Sequence, residues 1–255
     1  MDFTLDKYRQ LLTTLVQSNI PFTLRHDVDL LPANSLRTAQ IEHQLKLKAT
    51  YYFRTVPESY DPEIIQQIHA LGHEIGYHYE SLTTCQGDIV AAYQDFCKNL
   101  QQLRTLAPIT SICMHGSPRS PYDSRDLWQS YDYHTLGITH EPYFDTDFSS
   151  TLYLTDTGRR WDGYNVSRRD KIPHHQDEWT RRGLSFHTTD QIIAQLTNPH
   201  SPLRQSGLKL LITTHPQRWT QPGPAHLKEY LAQSLKNIVK RMLIHQADKK
   251  NNPKQ

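Results

Sequence analysis

Short apolar runs alternate with amphipathic helical stripes along most of the chain, and this alternation restricts the fold more than any other feature. Leu5, Tyr8, Leu11, Leu12 and Leu15 recur at helical spacing over residues 5 to 18, and Asn19 with Pro21 ends that helix. "PFTLRHD" then reads as a strand. A helix follows over 33 to 47, the β-prone "KATYYFRT" over 48 to 55, a helix over 62 to 71 stopped by Gly72, and the strand "HEIGYHY" over 73 to 79. Ile89, Tyr93, Phe96, Leu100 and Leu103 stripe a long helix over 87 to 106, and "PITSICMHG" is a fourth strand over 108 to 116. Strand and helix in turn predict a parallel sheet built from right-handed crossovers.

The stretch 117 to 187 breaks the rhythm. It is rich in Tyr, Asp, Arg and Pro and reads as long loops with short strands such as "TLYLT", the kind of segment that carries binding groups. Regularity returns with a helix near 189 to 197 and the strand "LKLLITTH" over 208 to 215. A final helix is expected near 225 to 245, with Leu227, Leu231, Leu235, Ile238, Met242 and Leu243 on one face. At 255 residues, with no repeat and no linker, one domain over 1 to 246 is expected, followed by a disordered tail over 247 to 255.

Net charge is +2 with His neutral, and no block of Lys or Arg precedes the tail, so nucleic acid is not an expected partner. Cys85, Cys97 and Cys113 are an odd number without C-x-x-C spacing, which indicates neither a disulfide framework nor a Cys-rich zinc site. The N-terminus is acidic and amphipathic rather than a basic start with an apolar core, so it is not read as a signal peptide. No run is long and apolar enough to span a bilayer. The expected location is the cytoplasm, and oligomeric state is left open.

Ligands of parallel α/β folds bind at the carboxyl ends of the strands. Those ends carry His26, Asp27 and Asp29 on the first strand, His78 and Glu80 around the third, His115 after the fourth and His215 after the last. A single strand-end His is more often a structural residue than a ligand. Four strand ends delivering His or carboxylate to one rim are informative together. Carboxylate oxygen and imidazole nitrogen suit Zn²⁺ or another divalent first-row metal. Two carboxylates one residue apart allow one to hold metal and the other to accept a proton, while an opposed imidazole protonates a leaving group.

These residues resemble the polysaccharide deacetylases of carbohydrate esterase family four. "GHEIGYHYE" (72 to 80) matches the first half of that family's second motif, and "LLITTHP" is similar to its last. "LRHDVD" looks like a variant of its Thr-Phe-Asp-Asp-Gly motif, of the kind found in a divergent branch with an HDVD first motif. The resemblance spans about residues 22 to 216. It implies a distorted (β/α) barrel and metal-dependent removal of N-acetyl or similar acyl groups from a sugar or polysaccharide precursor. Carried over by position, it implies Asp27 as catalytic base, His215 as general acid, and Asp29 and His78 as metal ligands.

Three departures stand out. Val28 separates the two aspartates, so base and ligand roles are exchangeable. Leu82 stands where the family has a second metal histidine, which leaves Glu80 or His115 as the third ligand. His115 also stands where the family places an Arg that contacts the catalytic Asp, and Arg119 is the candidate substitute for that Arg. "TDTGRRWDG" offers Asp156, Arg160 and Trp161 as further substrate contacts, set evenly against a plain charged loop. Two other readings stay open: a non-catalytic carbohydrate-binding relative, favoured by Leu82, and a hydrolase of another C–N bond.

Overall fold

The computed structural model describes residues 1–117, 120–167 and 169–223 together with residue 237. The final helix expected near 225 to 245, the tail and Arg119 lie outside the described residues. Among the described residues no helix is long and apolar enough to cross a membrane.

Six parallel strands form one sheet: β1 (Phe22–Val28), β2 (Thr50–Phe53), β3 (Glu74–Tyr79), β4 (Ile112–Met114), β5 (Thr151–Thr155) and β6 (Lys209–Thr214). Their order is β4-β3-β2-β1-β6-β5, so the chain works outward to β4 and then returns on the other side of β1. The helices are α1 (Leu5–Ser18), α2 (Pro32–Gln44), α3 (Pro62–Ala70), α4 (Ser81–Thr84), α5 (Ile89–Arg104), α6 (Pro142–Asp145), α7 (Pro173–Arg181), α8 (Thr189–Thr197) and α9 (Pro202–Gln205). Local chemistry fixes several ends. Thr4 caps α1 through the Lys7 amide, Asp61 caps α3 through Ile64, and Thr188 with Gln191 forms a capping box on α8.

β1, β3 and β6 are buried on both faces once past their first residues, as parallel strands covered by helices must be. On β1 the residues alternate. His26 faces the helices, with Nδ1 2.7 Å from Thr214 Oγ1 and Nε2 2.7 Å from Glu42 Oε1 of α2. Glu42 also accepts from the hydroxyls of Tyr8 and Tyr51, so a buried carboxylate ties α1, α2, β1 and β2 together. Arg25 and Asp27 point the other way, into the concave side.

The sheet is curled into a half-barrel. In a flat sheet β1 and β4 would lie three strand spacings apart, roughly 14 Å. Yet Asp29, just past β1, and His115, just past β4, bring side-chain atoms within 3.6 Å of each other. The expected distorted barrel is thus present in open form, with β4 and β5 at its edges. Gly76 on β3 permits part of this packing, because a Cβ there would lie 2.4 Å from the ring of Tyr52, its register partner on β2.

The element boundaries shift in places. The strand expected over 108 to 116 keeps only Ile112–Met114, because Ser111 makes a lone bridge to His140 and its flanks are not paired in the ladder. The helix expected over 87 to 106 starts at Ile89, since Gly87 sits at φ +89° and Asp88 caps the next turn through Ala91. Residues 117 to 187 contain β5 as expected, and also the unforeseen α7.

Candidate metal centre

Asp29 stands one residue beyond β1 and points its carboxylate at three imidazoles. Its Oδ1 lies 3.6 Å from His78 Nε2 and 3.6 Å from His115 Nε2, and its Oδ2 lies 3.8 Å from His215 Nε2. These separations are too long for hydrogen bonds, and Oδ1 is buried with no partner. Ligands arranged tetrahedrally about Zn²⁺ at roughly 2.1 Å sit roughly 3.4 Å apart, close to the spacing here.

The tautomers agree with that arrangement. His78 Nδ1 lies 2.9 Å from the Cys113 carbonyl, which can only accept, so Nδ1 carries the hydrogen and Nε2 keeps a lone pair facing Asp29. His115 Nδ1 lies 2.7 Å from Glu80 Oε2, which fixes the same tautomer there. Glu80 is in turn held by Arg54, through Nε at 3.0 Å and Nη2 at 2.6 Å. Carboxylate and carbonyl partners of this kind are what orient metal-binding histidines. A buried carboxylate oxygen without a partner, flanked by two lone-pair nitrogens, is a donor set that fits a divalent cation. Asp29, His78 and His115 could hold one.

The structure places Glu80 behind His115, 2.7 Å from its Nδ1, rather than against Asp29. Leu82 is 4 % exposed in the core, so a side chain there faces packing and not the Asp29 cluster. His115, reached through the pairing of β3 with β4, stands beside Asp29 and His78 instead.

Asp27 lies deeper on the concave side. Arg25 grips it from the same face of the same strand, Nε to Oδ1 at 2.8 Å and Nη2 to Oδ2 at 2.7 Å. Burial alone would push this carboxyl up; the guanidinium of Arg25, with His78 and His215, overcomes that and holds it at about 2. Asp27 is thus ionised at neutral pH. Among the described residues the Arg that contacts Asp27 is Arg25. The signal lay in the sequence, as an Arg and an Asp two residues apart on a strand share a face.

His215 closes the opposite side. Its Nδ1 lies 2.6 Å from Asp156 Oδ1, and its backbone N–H donates to Asp156 Oδ2 at 3.0 Å. Asp156 also accepts from Trp219 Nε1 at 2.8 Å and from Arg218 at 2.7 Å. Burial and Arg218 push the His215 imidazole down, but Asp156 and Asp29 outweigh them and its pKa is raised above the usual value. Asp156 is fully buried, so its contact is with His215 and not with a substrate.

Two expected substrate contacts are not at this rim. Trp161 is 4 % exposed, packed beside Phe3 and Trp219 with its Nε1 bonded to Thr189 at 2.9 Å, which leaves no open ring face for a sugar. The Arg160 guanidinium is taken by Asp162. Gln217, which sequence reading passed over, donates from Nε2 to Asp29 Oδ2 at 3.2 Å. Only the fold brings the residue after His215–Pro216 back onto the first strand.

The sequence matches no family model and no curated protein. Among solved structures it is similar to a family 4 carbohydrate esterase from Streptomyces lividans in complex with acetate. The identity is 13 %, over 87 % of this chain and 88 % of that one, with a TM-score of 0.43. It is also similar to the peptidoglycan deacetylase PdaC from Bacillus subtilis (13 % identity, 88 % and 98 % covered, TM-score 0.39) and to PdaA of the same organism, a family 4 carbohydrate esterase (9 %, 88 % and 82 %, 0.40).

Proposed function

We propose that this chain is a metal-dependent hydrolase that removes an N-acetyl or similar acyl group from a carbohydrate. The observation that carries the reading is the orphaned Oδ1 of Asp29, set between two imidazole lone pairs with an ionised Asp27 and a carboxylate-backed His215 on either side. Asp29, His78 and His115 would hold a divalent ion, Zn²⁺ being the best match to one carboxylate and two imidazoles. When bound, such an ion supplies Lewis acidity toward an acyl oxygen and lowers the pKa of water.

The remaining chemistry belongs to the chain. Asp27, kept ionised by Arg25, takes the proton of the attacking water. His215 Nδ1 lies 2.6 Å from Asp156 Oδ1 and 2.7 Å from Arg218 Nη1, and its Nε2 faces the centre, placed to give a proton to the departing amine or alcohol when the ring is charged. Asp156 holds the ring in that orientation and stabilises its charged form, the part an aspartate plays behind a catalytic histidine.

The motif resemblance supports a carbohydrate substrate. Leu82 favours a non-catalytic binder, and His115 beside Asp29 supports the catalytic reading. The deciding experiment loads the protein with one equivalent of Zn²⁺ and offers N- and O-acetylated sugars. Acetate release that Asp27→Asn abolishes is expected. Stoichiometric zinc binding with no release from any acylated sugar would overturn the proposal.

A further inference from the structure

His78 Nε2 faces two carboxylates at nearly the same distance. Asp29 Oδ1 lies 3.6 Å away toward the rim, and Asp27 Oδ2 lies 3.9 Å away on the inner side. A third donor stands on that inner side. Cys113 of β4 is the register partner of His78 on β3, so the two side chains leave neighbouring strands on the same face of the sheet. Ligand atoms of Asp27, His78 and Cys113 all lie within 4.8 Å of one another. All three residues are buried, whereas the side chains of Asp29 and His115 keep 21 % and 17 % exposure, so this trio lies beneath the rim cluster.

A buried cysteine is most often a small apolar filler. Here it is set against a lone-pair nitrogen and an ionised carboxylate, which makes a thiolate, imidazole and carboxylate set drawn from three strands. The Asp29, His78 and His115 set has no sulfur, so the two differ in the ions they select. Sulfur favours thiophilic ions such as Cd²⁺, or Zn²⁺ in excess, over Mg²⁺ and Ca²⁺. Burial pushes the Cys113 thiol well up against the pull of Arg25, so an ion with little affinity for sulfur leaves it protonated. A thiophilic ion displaces that proton to solvent and takes the thiolate as a ligand.

The two sets share one lone pair. His78 Nδ1 is committed to the Cys113 carbonyl, so Nε2 serves one ion at a time. An ion in the inner position therefore takes His78 away from the rim position and covers the carboxylate of Asp27.

We infer that Asp27, His78 and Cys113 form a second cation position, selective for thiophilic divalent ions and exclusive with the rim position. The position itself does not depend on hydrolysis; its inhibitory consequence, the loss of Asp27 as base, rests on the reading above.

The test uses Cd²⁺, whose bonds to thiolate absorb in the ultraviolet, on full-length protein in which Cys85→Ser and Cys97→Ser remove the two partly buried thiols. One equivalent added to chelator-stripped protein is expected to give the thiolate band. Cys113→Ser should abolish the band and still bind zinc at the rim, which also reports that it is folded. Asp27→Asn should weaken the band's Cd²⁺ affinity by at least about tenfold. In zinc-loaded protein the Cd²⁺ concentration that releases zinc to a chromophoric chelator should rise at least about tenfold on Cys113→Ser. No band in the parent, a band that survives Cys113→Ser, or one that Asp27→Asn leaves at full affinity would overturn the site. A band that forms while zinc is retained would overturn its exclusivity. Where acylated sugars are turned over, Cd²⁺ should stop the parent at concentrations that leave Cys113→Ser active, and equal inhibition of both would overturn the inhibitory consequence. A Cys113-dependent band with zinc release, in protein that deacylates no sugar, would keep the site and count against hydrolysis alone.

Discussion

Arg25 and Asp27 stand two residues apart on one strand and meet as a two-pronged ion pair on the concave side of the sheet, both nearly inaccessible to solvent. A buried pair of this kind is costly to break from one side, because the remaining charge has no water to turn to. Arg25→Met is therefore expected to lower the unfolding free energy by about 3–5 kcal/mol. Adding Asp27→Asn should restore part of that loss. Denaturant unfolding of the two single variants and the double variant measures the coupling. Additive effects would mean that the pair does not act as a unit.

Asp27→Asn alone separates base from ligand. The amide keeps the shape but cannot take a proton, so turnover should fall by about 10²–10⁴-fold. Zinc content by mass spectrometry should stay near that of the unmodified protein, because Asp29, His78 and His115 are untouched. Loss of zinc in this variant would instead assign Asp27 to the metal and exchange the roles of the two aspartates.

Glu80 reaches the centre only through His115. In Glu80→Gln the Nδ1 hydrogen loses its anionic acceptor while Nε2 remains in place. Zinc affinity is expected to drop by about 10–100-fold, read by competition with a chromophoric chelator. His115→Ala should lower it further. An affinity unchanged by both substitutions would remove His115 from the site.

Asp156 sets how His215 holds its proton, and the sign of the pH effect follows. A general acid works while protonated, so activity falls as pH rises through the His215 pKa, which Asp156 and Asp29 raise against burial and Arg218. Asp156→Asn removes the first of these raising influences. The alkaline limb of kcat/KM should then move to lower pH, and the maximal rate should fall by up to about 10⁴-fold as the ring loses its fixed tautomer. A rate that falls while the limb stays in place would make Asp156 structural only.

Much of the site was legible because its residues sit at strand ends, where a linear reading can find them. Asp27, Asp29, His78 and His215 each follow an apolar run that became a strand. Glu80 and His115 could not be ranked from the sequence, because the choice depends on β3 pairing with β4 and on which imidazole nitrogen faces inward. Arg25 was missed for a simpler reason. Strand alternation already puts it on the Asp27 face, two residues away, with no need of an arginine from the loop after β4. Trp161 shows the opposite failure. Neighbouring Arg and Trp suggested a sugar platform, but Phe3 and Trp219, distant in sequence, cover that ring.

Glu141 offers a pH test that is independent of activity. It lies against β4, accepting from the backbone amides of Met114 and Tyr143, and burial pushes its carboxyl up to about 6 despite those bonds and two nearby arginines. Between its ordinary value of 4.5 and about 6 the folded protein holds a proton that the unfolded chain has released. Stability contributed by that proton is complete below 4.5 and is lost as pH rises through 6, a change of about 2 kcal/mol. Glu141→Gln cannot titrate, although it loses one carboxylate acceptor. The stability difference between the two proteins should therefore narrow as pH rises from 4 to 7, with the unmodified protein losing the ground. Parallel stability–pH curves from urea unfolding would show that Glu141 titrates normally and that its burial costs it nothing.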